Sequence, residues 1–455
     1  MTKTFHALLG AVSALGLLAL GSTAFAAVSA EEAAQLKTTL TPLGAERAGN
    51  ADGSIPAWTG GWTTVPAGFK SGDVLPDIFA GEKPILTITN ANLAQYKSQI
   101  PDGVLQFFAK YPDYRMEIYP THRTAVAPQY IYDNTFANAT RTTTINDGLG
   151  LQNAFGGIPF PIPKTGREVV WNHQLRWGGY SYAMNADAFI RTSDGSLVKS
   201  SRAKGRFLLP YYDPEGSLAT FRNDFKMDTI EIYDPPFNSG QATLTVYPID
   251  LTDGSKNWQY LVGQRRVRKA PNLMYDTPNF YVSGIGQFDD FQGFDGPMDR
   301  YDFKIVGKKE VFIPYNCQTW VRAEVDAKMG PHYPNPDYMR WEKHRVWVVD
   351  LNLAPGKRNV VAKRRFYIDE DTWQIVVADE YDDQGAYWRL LLELPLVVPD
   401  FPAVVIGPGL IVDFRSGSYA VDIDSQPSGL PQYQAVPKPD ETYFTSSNLG
   451  NLGVD

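Results

Sequence analysis

The chain has 455 residues, 43% hydrophobic and 20% charged, with a single cysteine and a formal net charge of −8. Its 13% aromatic content excludes a disordered chain, and the lone Cys317 excludes stapling by intrachain disulfides. The acidic balance argues against nucleic acid as a partner, since phosphates call for a basic surface.

The first stretch bears on compartment. Lys3 precedes an apolar run from Ala7 to Leu20, followed by Ala24-Phe25-Ala26. A positive start, an apolar middle and an A-x-A ending compose a secretory signal peptide. The run is shorter than the ~20 residues a spanning helix requires. Residues 1–26 are therefore expected to be cleaved after Ala26. Residues 27–455 should form one exported domain that neither spans a membrane nor carries a lipid anchor, because no cysteine follows the cleavage point.

Ser29-x-x-Glu32 has the spacing of a capping box and predicts a helix up to Leu40. Short helices are expected at Ala91–Gln99 and Val104–Lys110, and Asn134–Asn146 reads as helix or loop. Thr165-x-x-Glu168 is a second capping box, predicting a helix to about Arg176. From Tyr180 to Ile190 the apolar period becomes two, which signals a half-buried strand. Asp194-Gly195 marks a hairpin, and a further extended run reaches Tyr212. More strands are expected at Ala242–Leu251, Trp258–Arg268, Phe303–Ile313, Thr319–Val325, Arg345–Leu353, Val361–Ile368, Trp373–Ala378 and Tyr387–Leu394. Successive strands with few intervening helices predict an antiparallel sheet. The organisation is thus a helix- and loop-rich part over 27–177, a sheet over 178–394, and an irregular Pro/Gly-rich tail over 395–455.

The catalytic vocabulary is sparse. No H-E-x-x-H, C-x-x-C, G-x-S-x-G, Walker-type or complete dinucleotide-binding pattern occurs. No cofactor, metal or catalytic residue is therefore assigned. Two acidic clusters, Asp289/Asp290/Asp295/Asp299 and Asp379/Glu380/Asp382/Asp383, lack EF-hand spacing. They read mainly as solvated turns, with a calcium loop or a glycosidase carboxylate pair as alternatives. Arg265, Arg266, Arg268 and Lys269 end a predicted strand. They form either a docking patch for a lipid headgroup or acidic partner, or a charged edge that blocks pairing. His173 reads as a hydrogen-bonded packing residue, a general base being the alternative. Trp320, Trp347, Trp373 and Trp388 fall in extended runs, either as core beneath a sheet or as walls of an apolar cavity.

The segments Leu40–Gly61 (LTPLGAERAGNADGSIPAWTGG), Gly156–Trp177 (GGIPFPIPKTGREVVWNHQLRW), Gln264–Asp276 (QRRVRKAPNLMYD), Phe288–Tyr315 and Pro331–Gly385 resemble the proteobacterial domain of unknown function family 1329, over essentially the whole mature chain. That family is described as outer-membrane lipoprotein-sorting-like. The resemblance implies an α+β, mainly-β fold similar to LolA and LolB: one large curved antiparallel sheet, an incomplete barrel, with helices on its concave side. It also implies a periplasmic setting, a lipid or sterol-like hydrophobic ligand, and partnership with a resistance-nodulation-division type exporter and an outer-membrane protein.

On this reading the helix after Thr165, with Val170, Trp171 and Trp177, is a candidate lid. Tyr180, Tyr182, Trp347 and Trp388 are candidate cavity walls. The alternatives are a non-transporting protein that docks through Arg265, Arg266, Arg268 and Lys269, and an exported hydrolase using His173 or an acidic cluster.

Overall fold

The computed structural model describes residues 27–424, 433–440 and 442–452. The expected signal peptide, residues 1–26, lies outside the described residues. In chain order the strands are β1 (Leu86–Ile88), β2 (Met116–Ile118), β3 (Thr143–Ile145), β4 (Gly150–Gln152), β5 (Ser181–Arg191) and β6 (Leu197–Leu208). They continue with β7 (Asp224–Asp234), β8 (Ala242–Pro248), β9 (Lys256–Leu261), β10 (Arg266–Lys269), β11 (Tyr301–Pro314) and β12 (Trp341–Leu353). The last six are β13 (Lys363–Asp369), β14 (Ile375–Tyr381), β15 (Tyr387–Val398), β16 (Ala403–Asp413), β17 (Ser418–Asp424) and β18 (Tyr433–Ala435). The α-helices are α1 (Ala30–Ala34), α2 (Leu93–Tyr96), α3 (Asp102–Lys110), α4 (Gln129–Arg141), α5 (Gly166–Gln174), α6 (Gln318–Arg322), α7 (Val325–Lys328) and α8 (Ser446–Leu452).

Sixteen strands form one sheet ordered β1-β2-β12-β13-β14-β15-β16-β17-β5-β6-β7-β8-β9-β10, with β11 beside β12 and β18 beside β5. Pairing is antiparallel throughout except for one parallel bridge, Trp341 of β12 with Ile118 of β2. Among the described residues β10 pairs only with β9, and β11 only with β12, so no closed barrel forms. The mainly-β, α+β, predominantly antiparallel architecture is as expected.

Local chemistry explains many boundaries. Both capping boxes form: Ser29 accepts from the Glu32 N–H, Thr165 accepts from the Glu168 N–H, and each glutamate reaches back. Gly195 takes a φ of +84° in the β5–β6 turn, where Asp194 Oδ1 accepts from the Ser196 N–H at 3.0 Å. The ambiguous region before residue 146 is a helix, α4, up to Arg141.

Several expectations are corrected. Residues 319–325 are not a strand, because α6 and α7 occupy this stretch. The run Trp258–Arg268 is two strands, β9 and β10, folded back at Arg265 with a φ of +48°. The tail beyond 394 is not irregular: β15 continues to Val398, and β16 and β17 are central strands. Pro395 and Pro408 obscure this in the sequence. The β15–β16 register shifts between Glu393 and Pro395, and Pro408 lies in the skipped stretch between Ile406 and Gly409. A bulge is where a sheet tolerates residues that cannot donate.

Side chains alternate across the strands, and both faces of the sheet are covered. Arg364, Phe366, Ala378, Glu380, Arg389 and Leu391 share the face on which α5 and residues 274–298 lie, the inner face. Arg365, Tyr367, Asp379 and Leu390 share the outer face, where α3 docks by Gly103 N–H donating to Asp379 Oδ1 at 2.8 Å. A Cβ at Gly103 would fall 2.0 Å from Tyr387 Oη, so this approach needs glycine. Helix α8 and the segment just before it seal the outer face of β8–β10, Leu449 and Phe444 packing with Leu244 and Val246. Helices thus lie on both sides of the sheet, not on one side as expected. The outer face of β14–β15 carries Val377, Leu390 and Leu392, and an apolar surface must be covered.

Candidate functional site: a roofed trough on the inner face

The inner face of β5–β7 is floored by small side chains. Met184, Ala186 and Ala188 of β5 pair across to Gly205, Ala203 and Ser201 of β6, and Gly205 pairs with Ile230 of β7. Side chains this small leave a trough, and residues Asn279–Asp295 cross it with Tyr281 and Phe291 as its roof. The cavity measures about 50 Å³, with Phe207 and Ile230 adding apolar walls and Asp422 a carboxyl group. A space of about 20 Å³ continues under Tyr281 and Phe291 beside Asp228, Thr243 and Thr245. A third, about 30 Å³, lies beside Arg176, Trp177, Tyr182 and Gln292. Ligand pockets run to ~300–1,000 Å³, so each of these spaces is smaller than a lipid-sized pocket.

The roof is held by buried polar contacts. Gln174 Nε2 of α5 donates to Phe294 O at 2.9 Å, and Arg176 donates to Gln292 Oε1 at 2.5 Å. Lys226 meets both oxygens of Asp295 at 2.7 and 2.8 Å. Asp289 pairs with Arg364 at 2.9 Å, and Asp290 with Arg364 at 3.2 Å and Arg389 at 3.1 Å. Arg389 also pairs with Glu380 at 2.5 Å. Burial pushes the Glu380 carboxyl up to about 8, against the pull of the neighbouring Arg389. Burial likewise pushes Asp228 and Asp422 up to about 7.

Of the expected cavity residues, the structure brings Trp177 and Tyr182 together on the third space. The others lie elsewhere. Val170 and Trp171 are fully buried core, with Trp171 Nε1 donating to Gly148 O at 2.8 Å. In this structure helix α5, the candidate lid, is packed into the core, its Asn172 bonded both ways to Phe160. Tyr180 is half-buried just ahead of β5 and receives the Leu209 N–H on its carbonyl. Trp347 is on the inner face but stacks on Trp373, ring centroids 6.3 Å apart, far along the sheet from the trough. Trp388 sits after a register shift at the strand end, between Arg389 and Arg415, with Nε1 donating to Asp413. Neither tryptophan lines the trough or the two spaces beside it. Sequence motifs do not single out Ala186, Ala188, Ala203, Tyr281 or Phe291. The signal that could find the floor is the run of small residues on the buried parity of β5 and β6.

The solvated-turn reading of the acidic clusters is overturned for Asp289, Asp290, Asp295, Asp379 and Glu380, all buried. A buried carboxylate needs partners: arginines and Lys226 supply them for Asp289, Asp290, Asp295 and Glu380, and the Gly103 N–H and Tyr387 hydroxyl for Asp379. Asp382 does cap its turn, accepting from Gln384 and Ala386 N–H groups. His173 is fully buried, and its Nδ1 accepts the Ile375 N–H at 3.0 Å. Burial first, then the Arg176 charge, hold its pKa well below the usual imidazole value, so it is a neutral packing residue. Arg265, Arg266, Arg268 and Lys269 are exposed around the β9–β10 turn and on the edge strand β10. Arg266 and Arg268 bond to Gln264 and Gln259.

Among the described residues no helix is long and apolar enough to cross a membrane. The chain is similar to uncharacterized protein PA3922 of Pseudomonas aeruginosa, 40% identical over 396 residues, spanning 83% of this chain and 84% of that one. Among solved structures it is similar to a Vibrio parahaemolyticus domain described as a putative outer membrane lipoprotein-sorting protein. That match has a TM-score of 0.43 at 12% identity and covers 62% of this chain and 97% of that one. It is also similar to LolA superfamily protein NE2245 of Nitrosomonas europaea, with a TM-score of 0.37 at 11% identity, covering 62% and 98%. A family model described as protein of unknown function (DUF1329) matches residues 87–450, and the chain belongs to that family.

Proposed function

We propose that this protein is a periplasmic carrier for a lipid or other hydrophobic molecule, acting by binding and not by bond breaking. The sheet would act as an incomplete barrel around its cargo, in partnership with an inner-membrane exporter and an outer-membrane protein. The observation that carries the reading is the small-residue floor of β5–β7 under a separate roof segment. Alanines and a glycine opposite two aromatic rings form an apolar surface that can be uncovered by moving one stretch of chain. Each Å² of apolar cargo buried there contributes about 25 cal/mol, which must offset breaking the roof's polar contacts. The signal-peptide pattern at the N-terminus supports the setting.

The test is native mass spectrometry, with solvent extraction, of protein purified from the periplasm without detergent. A discrete lipid-like adduct near one per chain supports the carrier. A clean mass that stays clean after incubation with membrane lipids overturns it.

A second reading, a non-transporting docking protein, is favoured by one observation: Arg266, Arg268 and Lys269 are exposed on β10, which among the described residues is an edge strand paired on one side only. Capture of an envelope partner that is abolished by Arg266→Glu with Arg268→Glu would favour it.

A further inference from the structure

A second cluster of chemistry-bearing side chains lies away from the trough, where β12 meets the β13–β14 turn. His344, Asp369 and Asp371 are buried, and one ligand atom from each lies within 4.8 Å of the others. His344 Nε2 faces Glu342 Oε2 at 3.2 Å, and its ring stacks on Tyr315 with centroids 4.0 Å apart. Asp369 Oδ2 accepts from Thr372 N–H at 3.0 Å and Oγ1 at 2.7 Å. Asp369 Oδ1, 3.9 Å from His344 Nδ1, is buried with no hydrogen-bond partner.

The surrounding charges make that orphan informative. Glu342 is paired with Arg340 at 2.6 Å, Glu370 with Lys308 at 2.8 Å, and Asp371 with Arg123 at 2.7 Å. Among the described residues Asp369 has no Lys or Arg partner at salt-bridge distance, and an unpaired buried carboxylate is costly.

We propose that His344, Asp369 and Asp371 bind a divalent transition-metal ion. Donation of the Nε2–H to Glu342 leaves the Nδ1 lone pair directed toward Asp369, and a carboxylate that fixes the tautomer is the usual outer partner of a metal-bound histidine. One imidazole nitrogen with two carboxylate oxygens suits zinc or a neighbouring first-row metal better than calcium or magnesium. Tetrahedral zinc with bonds of ~2.0–2.2 Å holds its ligand atoms about 3.3–3.6 Å apart. Binding would draw the His344–Asp369 pair, 3.9 Å apart, together by a few tenths of an ångström, and the widest spacing, within 4.8 Å, by about 1 Å.

Arg123 opposes the ion's charge but also fixes Asp371, whose oxygens accept from it at 2.7 and 2.8 Å and retain further lone pairs. The ion would pin β12 to the β13–β14 turn. Arg123 would extend that tie to the N-terminal segment through Glu46 O, 2.7 Å away. With every ligand buried, the ion would enter during folding.

The test unfolds the full chain in chelator, refolds it with Zn²⁺ or Co²⁺, desalts it and measures metal content by mass spectrometry. The expected result is about one Zn²⁺ per chain and a rise in Tm of about 5 °C or more. The Co²⁺ form should show visible ligand-field absorption, and both signals should be lost in Asp369→Asn and His344→Gln. In Asp369→Asn the amide oxygen can still accept from Thr372, so circular dichroism can confirm the fold of that variant. Wild-type protein that refolds without retaining Zn²⁺ overturns the site whatever the variants do. Zn²⁺ retained equally by wild type and Asp369→Asn also overturns it, as binding by other carboxylates.

Discussion

Arg389 of β15 and Asp290 of the roof segment lie 3.1 Å apart with both side chains fully buried. Around this pair Arg364, Asp289 and Glu380 complete a group of three carboxyls and two guanidiniums. Burial pushes the Glu380 carboxyl up to about 8, which moves this group of three carboxyls and two guanidiniums toward charge balance. Buried ion pairs are weak sources of net stability, but removing one partner leaves an uncompensated charge. The group therefore fixes where the roof sits.

Arg389→Met should destabilise the protein by about 3–5 kcal/mol, because Asp289 and Asp290 would then share Arg364 alone and one buried carboxylate would be left uncompensated. Asp290→Asn should cost less, since the amide can still meet the surrounding groups and one negative charge disappears. Urea unfolding of both variants checks this. A loss under about 1 kcal/mol for Arg389→Met would mean that water reaches the group and the roof is already loose.

Stability should fall as pH rises, an unusual direction for carboxyl groups. Asp379 is buried on the outer face, and burial raises it from its ordinary 3.8 to about 7. A carboxyl whose folded pKa exceeds its unfolded value binds more protons when folded, so its contribution is complete below about 4 and lost as pH passes 7. A shift of this size corresponds to at most about 4 kcal/mol. Asp379→Asn keeps an oxygen to accept from Gly103 N–H and Tyr387 Oη, and removes the titration. Thermal melts should show Tm dropping from pH 5 to pH 8 in the wild type and dropping less in the variant. Parallel curves would refute the assignment.

His173→Ala should cost about 1–3 kcal/mol, the penalty for stranding the buried Ile375 N–H, while lipid content stays unchanged per folded molecule. Chemical denaturation with lipid extraction measures both. Loss of bound lipid without loss of stability would return His173 to a role in the site.

Much of the strand pattern was legible because alternation is local: Tyr180–Ile190, with its Asp194-Gly195 turn, reads directly as β5 and the hairpin to β6. The capping boxes at Ser29 and Thr165 were legible for the same reason. The segment Thr319–Val325 was misread because its β-branched residues and tryptophan favour a strand, while docking near Pro395 and Val397 makes it helical. The inner-face site was hidden by its chemistry. Bulky tryptophans announce themselves in sequence, yet Trp347 packs half-buried between Trp373 and Lys308 and Trp388 sits at a strand end. The trough is made by what is missing, the side-chain volume at Ala186, Ala203 and Gly205. The acidic runs misled similarly, because Arg364 and Arg389, which neutralise Asp289 and Asp290, are some 75 to 100 residues away.

Filling the trough separates the two placements of the site. Ala186 and Ala203 are cross-strand partners on its floor, under the cavity of about 50 Å³. Ala186→Leu with Ala203→Leu adds several methylene volumes beneath Tyr281 and Phe291, at an overpacking cost of about 1–3 kcal/mol. Copurifying lipid should fall at least about tenfold, as 1.4 kcal/mol of lost affinity requires, in protein that still melts cooperatively. Trp388→Ser, at the end of β15 against Arg415 and Asp413, should retain its lipid. If Trp388→Ser is the variant that empties the protein and the filled trough is not, the cargo lies along β15 and the small-residue floor is only packing for the roof.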